Sequence, residues 1–200
     1  ARQLGSPFPL LAAVGTRTKA IEIGTAVIDM RYENPLYMAE DAGSADLISG
    51  GRLRLGISRG SPEQVIDGWR HFGYQPVEGE SDADMARRHA EVFLNVIQGH
   101  GFAEPNPRPM FPNPPGMLRL EPYSPGLRDR IWWGAGSNAT ARWAAGAASV
   151  PIQVRNRSKS ILPPLRIKPT RLPASLLFSC SAAASAAAPA PSARLWVSVQ

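Results

Sequence analysis

Acidic side chains are missing from the last quarter of this 200-residue sequence. All 16 Asp and Glu lie at or before Asp129, and residues 150–200 hold none. That stretch carries Arg155, Arg157, Lys159, Arg166, Lys168, Arg171 and Arg194, so the net charge of +6 comes from the tail. Residues 1–149 hold 15 basic and 16 acidic side chains, and the basic balance therefore excludes nothing about partners of that part. Cysteine is almost absent too. Cys180 stands alone, which excludes a disulfide within the chain and any cysteine cluster with zinc spacing, and no metal site is expected. A reducing, cytoplasmic setting fits this usage. No charged start followed by an apolar run marks the N-terminus, so no export signal is read there. The stretch SLLFSCSAAASAAAPA (175–190) looks like a signal peptide but is rich in serine, and prolines stand at 173, 189 and 191. It makes a poor membrane span. The chain reads as soluble, with no membrane partner.

What is present is strand and helix in alternation. AIEIGTAVI (20–28) is rich in β-formers and apolar on both faces, as a buried parallel strand is. Asn34-Pro35 is a helix start, because Asn can cap free backbone N–H groups and Pro suits the first helical position. Leu36, Ala39, Gly43 and Leu47 then form an expected inward stripe. Gly50-Gly51 ends the helix, and RLRLGIS (52–58) is the next strand. Together they make a βαβ unit. Residues 61–84 are a connection with a short helix, on which Trp69 and Phe72 are expected to pack inward. DMARRHAEVFLNVIQG (84–99) is an amphipathic helix with Met85, Val92, Phe93, Val96 and Ile97 on its apolar side. His89 falls on that side as a partly buried structural residue. Prolines make 100–129 a loop with one strand pair at most. RIWWGAGSNATARWAAG (130–146) repeats the grammar of strand, glycines, capping serine and helix. Trp132 and Trp133 alternate, one toward the core and one toward a ligand. The pattern is α/β with a parallel sheet.

From residue 148 the grammar stops. A basic arm would bind nucleic acid through salt-sensitive, sequence-blind contacts. Here the cations are diluted among prolines and aliphatics, and no binding module is visible, which speaks against nucleic acid. We read 148–200 as a Pro/Ala/Arg-rich tail, disordered or translated out of frame.

Gly56-Ile57-Ser58-Arg59-Gly60 fits the G-x-S-x-G elbow of a serine hydrolase, with Ser58 as nucleophile. That reading needs an acid, a histidine and oxyanion donors as well. His71, His89 and His100 would crowd a triad into little chain, and no HGGG-type segment exists. The other reading aims Arg59 at an anion from the end of a parallel strand, where α/β folds bind ligands. Gly136 and Ser137 in GAGSNAT (134–140) supply a second half: close backbone approach, and a helix whose first N–H groups favour an anion. A capping serine and a surface arginine that meets an acid explain the same residues, and spacing alone leaves this contest even.

IEIGTAVI, NPLYMAEDAGSADLISGGRLRLGISRG, RRHAEVFLNVIQ and IWWGAGSNATARWAA follow, in order, the pattern of the bacterial luciferase-like flavin monooxygenases. The resemblance covers about residues 5–147. Its most specific part runs from Glu40 to Gly60, with Asp46-Leu47, Ser49, Gly51-Arg52, Leu55-Gly56 and Arg59-Gly60 spaced as in the family. It implies a (β/α)8 TIM barrel, here partial, that binds FMN at its C-terminal mouth, with the deazaflavin F420 as the weaker alternative. The implied activity is oxidation of a small organic substrate by reduced flavin and O₂. A flavin reductase is the implied partner, and family members are often dimers. By position, Arg59, Ser137 and Thr140 match phosphate contacts, and Ala26-Val27 matches a non-prolyl cis peptide beneath the flavin ring. Ser58 matches a ring-proximal position and is the candidate catalytic residue. Asp46 and Arg52 are expected to form a structural ion pair. The resemblance places the first barrel strands before Ala1 and the last ones after residue 148, where the sequence offers no strand. A truncated form with little or no activity is expected.

Overall fold

The computed structural model describes residues 6–60, 65–108, 110–112 and 115–146, together with the backbone of 152–154 and 194–197. Helix α1 (Pro7–Arg17) precedes β1 (Glu22–Asp29). A single 3-10 turn, Met30–Tyr32, leads from β1 into α2 (Pro35–Ile48), and β2 (Leu53–Ser58) follows. A 3-10 segment, Gly68–Phe72, and α3 (Asp82–Val96) separate β2 from β3 (Ile131–Ala135). A third 3-10 turn, Leu127–Arg130, leads into β3, and helix α4 (Asn138–Gly146), β4 (Ile152–Val154) and β5 (Arg194–Val197) complete the described elements. All pairings are parallel, in the order β4-β3-β2-β1-β5.

Local chemistry explains the boundaries. Asn34 accepts hydrogen bonds from the N–H groups of Leu36 (3.0 Å) and Tyr37 (3.2 Å), with Pro35 at the first helical position of α2. Gly50 and Gly51 take φ of +68° and +77° and stop that helix, a conformation that costs other residues a Cβ clash. Ser81 and Asp84 form a reciprocal capping box at the start of α3. Helix α1 is not visible in the sequence as a pattern. Pro7 and Pro9 resemble loop residues, yet proline is tolerated in a first helical turn, and Phe8 and Leu11 are buried behind them.

The helices cover one face of the sheet. Ile23, Leu53, Leu55, Ile57, Ile131, Trp133 and Ala135 point to that side and share a core with Leu11, Met38, Ala42, Ala90, Phe93 and Ala144. Trp133 is fully buried and meets Trp143 of α4 edge-on at 4.7 Å. Trp132 turns to the opposite face, so the two tryptophans divide as their alternation requires. The stripe expected on α2 is displaced: Ala39 and Gly43 are buried, but Leu47 is exposed. Met38, Ala42, Ala45 and Asp46 complete the inward face instead. On α3, Met85, Phe93 and Val96 are buried and Ile97 caps its end in the core, but Val92 faces outward. Trp69 is buried, whereas Phe72 lies at the surface with its ring edge against Tyr32 at 5.2 Å. The 100–129 connection contains one isolated antiparallel bridge, Ala103 with Leu118.

The expected Asp46–Arg52 ion pair does not form. Asp46 is fully buried and accepts from Arg130 (2.5 Å), the Ser124 hydroxyl (2.6 Å) and the Leu53 N–H (2.9 Å). Arg52 donates to the carbonyls of Gly15 (2.7 Å), Thr18 (3.0 Å), Ile21 (2.7 Å) and Ser49 (2.6 Å). It thereby satisfies carbonyls at the end of α1, where the helix leaves them without partners. The two residues sit near each other in sequence and serve different joints.

The expectation that no strand follows residue 148 meets β4 and β5, which extend the sheet beside β3 and β1. Strands of three and four residues leave no readable period, and open edges supply the backbone partners they need. The rest of the tail lies outside the described residues, and with it the expectation of disorder or a shifted frame. No helix among the described residues is long and apolar enough to cross a membrane.

His89 is buried, as expected, with Nδ1 2.9 Å from the Met30 carbonyl and its ring edge toward Tyr74. Burial holds its pKa below the ordinary histidine value, and Arg88 pushes the same way, against hydrogen bonds to Met30 and Glu33 and the charge of Glu80. The unfolded chain therefore binds the proton more readily. The stability contributed by neutral His89 is complete above the unfolded pKa of about 6.5 and is lost as pH falls below it. Thermal unfolding from pH 8 to pH 5 should show a steeper acid-side loss for the native protein than for His89→Gln. Parallel curves would assign the loss to other groups.

Candidate functional site

The parallel register brings the C-terminal ends of β1, β2 and β3 side by side, with Asp29 opposite Ser58 and Ile57 opposite Trp133. The cofactor-site candidates Ala26, Val27, Arg59, Gly136, Ser137 and Thr140, and Ser58 with them, lie at this one end. Ala26-Val27 is a cis peptide, and the pairing of β1 with β2 slips between Thr25 and Ile28. Thr25 bridges the irregularity: its hydroxyl donates to the Gly56 carbonyl (3.0 Å) and lies 3.2 Å from the Gly56 N–H. Both backbone groups stay satisfied where the ladder is interrupted.

The face away from the helices is lined by small residues. A Cβ at Gly134 would lie 3.2 Å from Val27 Cγ1 and 3.6 Å from Ser58 Cβ, so these three adjoin. A Cβ at Gly56 would overlap the Trp132 ring. The Trp132 ring thus occupies the space over Gly56, half-buried, below the level of Val27, Ser58 and Gly134. Glu22 and Arg54 pair on the same face nearer the N-terminal ends of the strands. The floor is apolar with an aromatic plate, a surface suited to a planar ring.

The rim carries anion chemistry. Arg59 is exposed and makes no hydrogen bond or ion pair with another described residue. On the neighbouring strand end, Ser137 Oγ lies 3.0 Å from Thr140 Oγ1 and accepts from the Thr140 N–H at 3.3 Å. Ser137 is exposed and Thr140 buried. Ser137 thereby begins α4, whose opening turn presents backbone N–H groups and the positive end of its dipole. A Cβ at Gly136 would meet nothing within 4 Å, so the approach to this turn is open. A guanidinium, two hydroxyls and a helix N-terminus are donors that could hold a phosphate.

Ser58 is 4 % exposed, and its Oγ accepts from the Gly60 N–H at 2.9 Å. None of the described histidine contacts reaches it. His89 is held at Met30, His100 Nδ1 lies 2.7 Å from Asn95, and His71 is exposed. Among the described residues, no group of three or more His, Cys, Asp or Glu could hold a metal ion.

Sequence reading missed Gly56 and Gly134 as parts of this floor, and missed Asp29 and Arg31 entirely. Arg31 grips Asp29 through Nε (3.0 Å) and Nη2 (2.7 Å) and reaches Asp82 with Nη1 (2.9 Å). Its guanidinium lies 5.1 Å from the centre of the buried Trp69 ring. The alternation of small and large residues along β2 and β3 would have marked the two glycines. Nothing in the spacing marks Asp29 and Arg31.

The family model described as luciferase-like monooxygenase matches residues 2–152. Among curated proteins, the 4-hydroxyprotoasukamycin monooxygenase of Streptomyces nodosus subsp. asukaensis is 37 % identical over 95 residues, which is 47 % of this chain and 23 % of that protein. Among solved structures, the oxygenating constituent of 3,6-diketocamphane monooxygenase from Pseudomonas putida, in complex with FMN, superimposes with a TM-score of 0.55 at 21 % identity. That match covers 76 % of this chain and 43 % of the other. The coenzyme F420-dependent tetrahydromethanopterin reductase of Methanopyrus kandleri gives a TM-score of 0.53 at 18 % identity, covering 75 % and 44 %. These likenesses show a shared fold. The chain spans less than half the length of each of these relatives.

Proposed function

This chain belongs to the luciferase-like monooxygenase family, and from that premise we propose that the whole protein is a flavin-dependent monooxygenase acting on a small organic substrate. The parallel sheet is then an arc of a (β/α)8 barrel, and the site lies at its C-terminal mouth, where such barrels place their chemistry. One observation carries the reading: an exposed arginine without a polar partner among the described residues stands at the strand end beside an open, serine-capped helix N-terminus.

Arg59, Gly136, Ser137 and Thr140 would hold the phosphate of FMN, with Ala26-Val27, Gly134 and Trp132 against the ring. Reduced flavin, when bound, supplies the electrons that activate O₂ for transfer to the substrate. The chain's own residues position and shield. Val27 and Trp132 keep water from the floor of the site, which preserves a reaction that water would divert. Ser58 Oγ accepts from Gly60 and keeps its own proton, available for donation toward a group seated above it. FMN is favoured over F420 by the closeness of the Glu40–Gly60 run to the luciferase pattern. Reduced flavin would come from a separate reductase, a division of labour in keeping with the diketocamphane relative, which is the oxygenating constituent of its system. We place the protein in the cytoplasm on its cysteine usage.

The test is phosphate dependence. FMN should bind the intact protein at least about tenfold more tightly than riboflavin, the gain expected of a charge-assisted hydrogen-bond set, and Arg59→Ala should remove that preference. Equal binding of the two flavins would refute the site.

A further inference from the structure

We propose that Asp29, Arg31, Ser58 and Gly60 form a latch whose function is to set the position of Arg59, so that Arg31 and Ser58 are positioning residues for the phosphate end of the cofactor. The proposal rests on the reading of Arg59 as the phosphate anchor.

The turn that carries Arg59 is held from both sides. Before it, Ser58 Oγ accepts the Gly60 N–H at 2.9 Å, which closes a tight loop with Arg59 at its apex. After it, Gly60 has φ of +84°, and a Cβ there would overlap Asp29 Oδ2 and Arg31 Nη2. The backbone therefore lies directly on the Asp29–Arg31 pair, at a distance and angle that glycine permits. That pair is itself fixed. Arg31 is 6 % exposed, engages Asp29 through two nitrogens, and is tied by Nη1 to Asp82 in the first turn of α3. The Arg31 N–H also donates to Asp29 Oδ1 at 3.0 Å. A planar, bidentate guanidinium makes a surface with little freedom to shift.

One residue of this turn is left unengaged. Arg59 is exposed with no polar partner among the described residues, while the backbone on each side of it is satisfied or pressed against a rigid pair. A flexible arginine would lose entropy on meeting an anion, and a prepositioned backbone reduces that loss. Asp29 also bears a negative charge near the intended anion. Arg31 offsets it through a direct ion pair, while its link to Asp82 leaves the three side chains with one net negative charge. Both effects act on the phosphate; Ser58 also adjoins Val27 and Gly134 on the ring floor, a contact that both flavins share and that leaves their ratio unchanged.

The readout is the ratio of riboflavin to FMN dissociation constants, measured by flavin fluorescence on the intact protein. A general loosening of the fold weakens both flavins alike and leaves the ratio unchanged. Gly60→Ala should lower the ratio about tenfold, and Ser58→Ala, which changes almost no volume, about threefold to tenfold. Arg31→Lys keeps the charge but loses the fork, and should fall between the native protein and Gly60→Ala. Arg59→Ala is the control for the underlying reading and should reduce the ratio to about one. If Arg59→Ala collapses the ratio while Gly60→Ala and Ser58→Ala leave it intact, the latch is overturned and the anchor stands. If Arg59→Ala itself leaves the ratio intact, the anchor is refuted, and the latch with it. Should Gly60→Ala fail to fold, Ser58→Ala decides alone.

Discussion

Asp46→Ala is expected to lower stability by about 3–5 kcal/mol, the cost of removing one partner from a buried charged network. Asp46 is fully buried, and its two oxygens accept from three donors: the Leu53 N–H, the Ser124 hydroxyl and Arg130 Nη2. Those donors belong to the first residue of β2, the loop before β3, and the turn that opens β3. Truncation leaves a guanidinium partly buried beside an empty space, and leaves a strand N–H and a hydroxyl without acceptors. For a chain of this size the loss corresponds to a fall in Tm of roughly 6–20 °C. Asp46→Asn keeps the shape and one acceptor but not the charge, and should cost less, about 1–3 kcal/mol. Thermal melts of both variants check the claim. A Tm change below about 2 °C for Asp46→Ala would show that Arg130 and Ser124 find water or other partners at no cost.

The network also shows where sequence reading stops. The Glu40–Gly60 run pairs Asp46 with Arg52 by nearness, six residues apart, but the charge partner is Arg130, eighty-four residues away. A motif records which residue types recur together. It does not say which of them meet. Short-range features fared better because their causes are local. The Asn34-Pro35 start, the Gly50-Gly51 stop and the strand limits near 22–29 and 53–58 follow from capping and backbone freedom within a few residues. The exposures of Leu47, Val92 and Phe72 depend on what packs opposite, and periodicity carries no information about a neighbour. Helix α1 was hidden because prolines in a first turn look like loop.

The site divides along the same line. The positions of Arg59 at a strand end and of Ser137 at a helix start were legible because such ends have sequence signatures, and parallel topology then brings those ends together. Asp29 and Arg31 were not. They lie two residues apart, Asp29 ending β1 and Arg31 in the 3-10 turn after it, which no period announces, and they meet a glycine at another strand's end. Such a contact becomes readable only once β1 and β2 are set in register.

Gly56→Val tests the ring floor, and its effect should be large. A Cβ at this position overlaps the Trp132 ring and comes within 2.6 Å of the Thr25 carbonyl oxygen. One neighbour is a side chain that can swing aside, and the other is backbone beside the irregular step of β1. Two further methyl carbons cannot be placed without moving Trp132 off its glycine, and overpacking of this kind costs about 1–3 kcal/mol. Displaced into the space above the floor, Trp132 should weaken FMN and riboflavin together, by about tenfold or more, because the ring and not the phosphate loses its surface. The pattern is the converse of that expected for Arg59→Ala. Adding Trp132→Ala to Gly56→Val should recover part of the stability, since the aromatic clash is gone and the backbone clash remains. That coupling is what a double-mutant cycle measures between residues in contact. Additive effects of the two substitutions would mean that Trp132 does not lie over Gly56, and the aromatic floor would have to be abandoned. Loss of FMN binding alone, with riboflavin unchanged, would move the phosphate to this face and overturn the division between floor and rim.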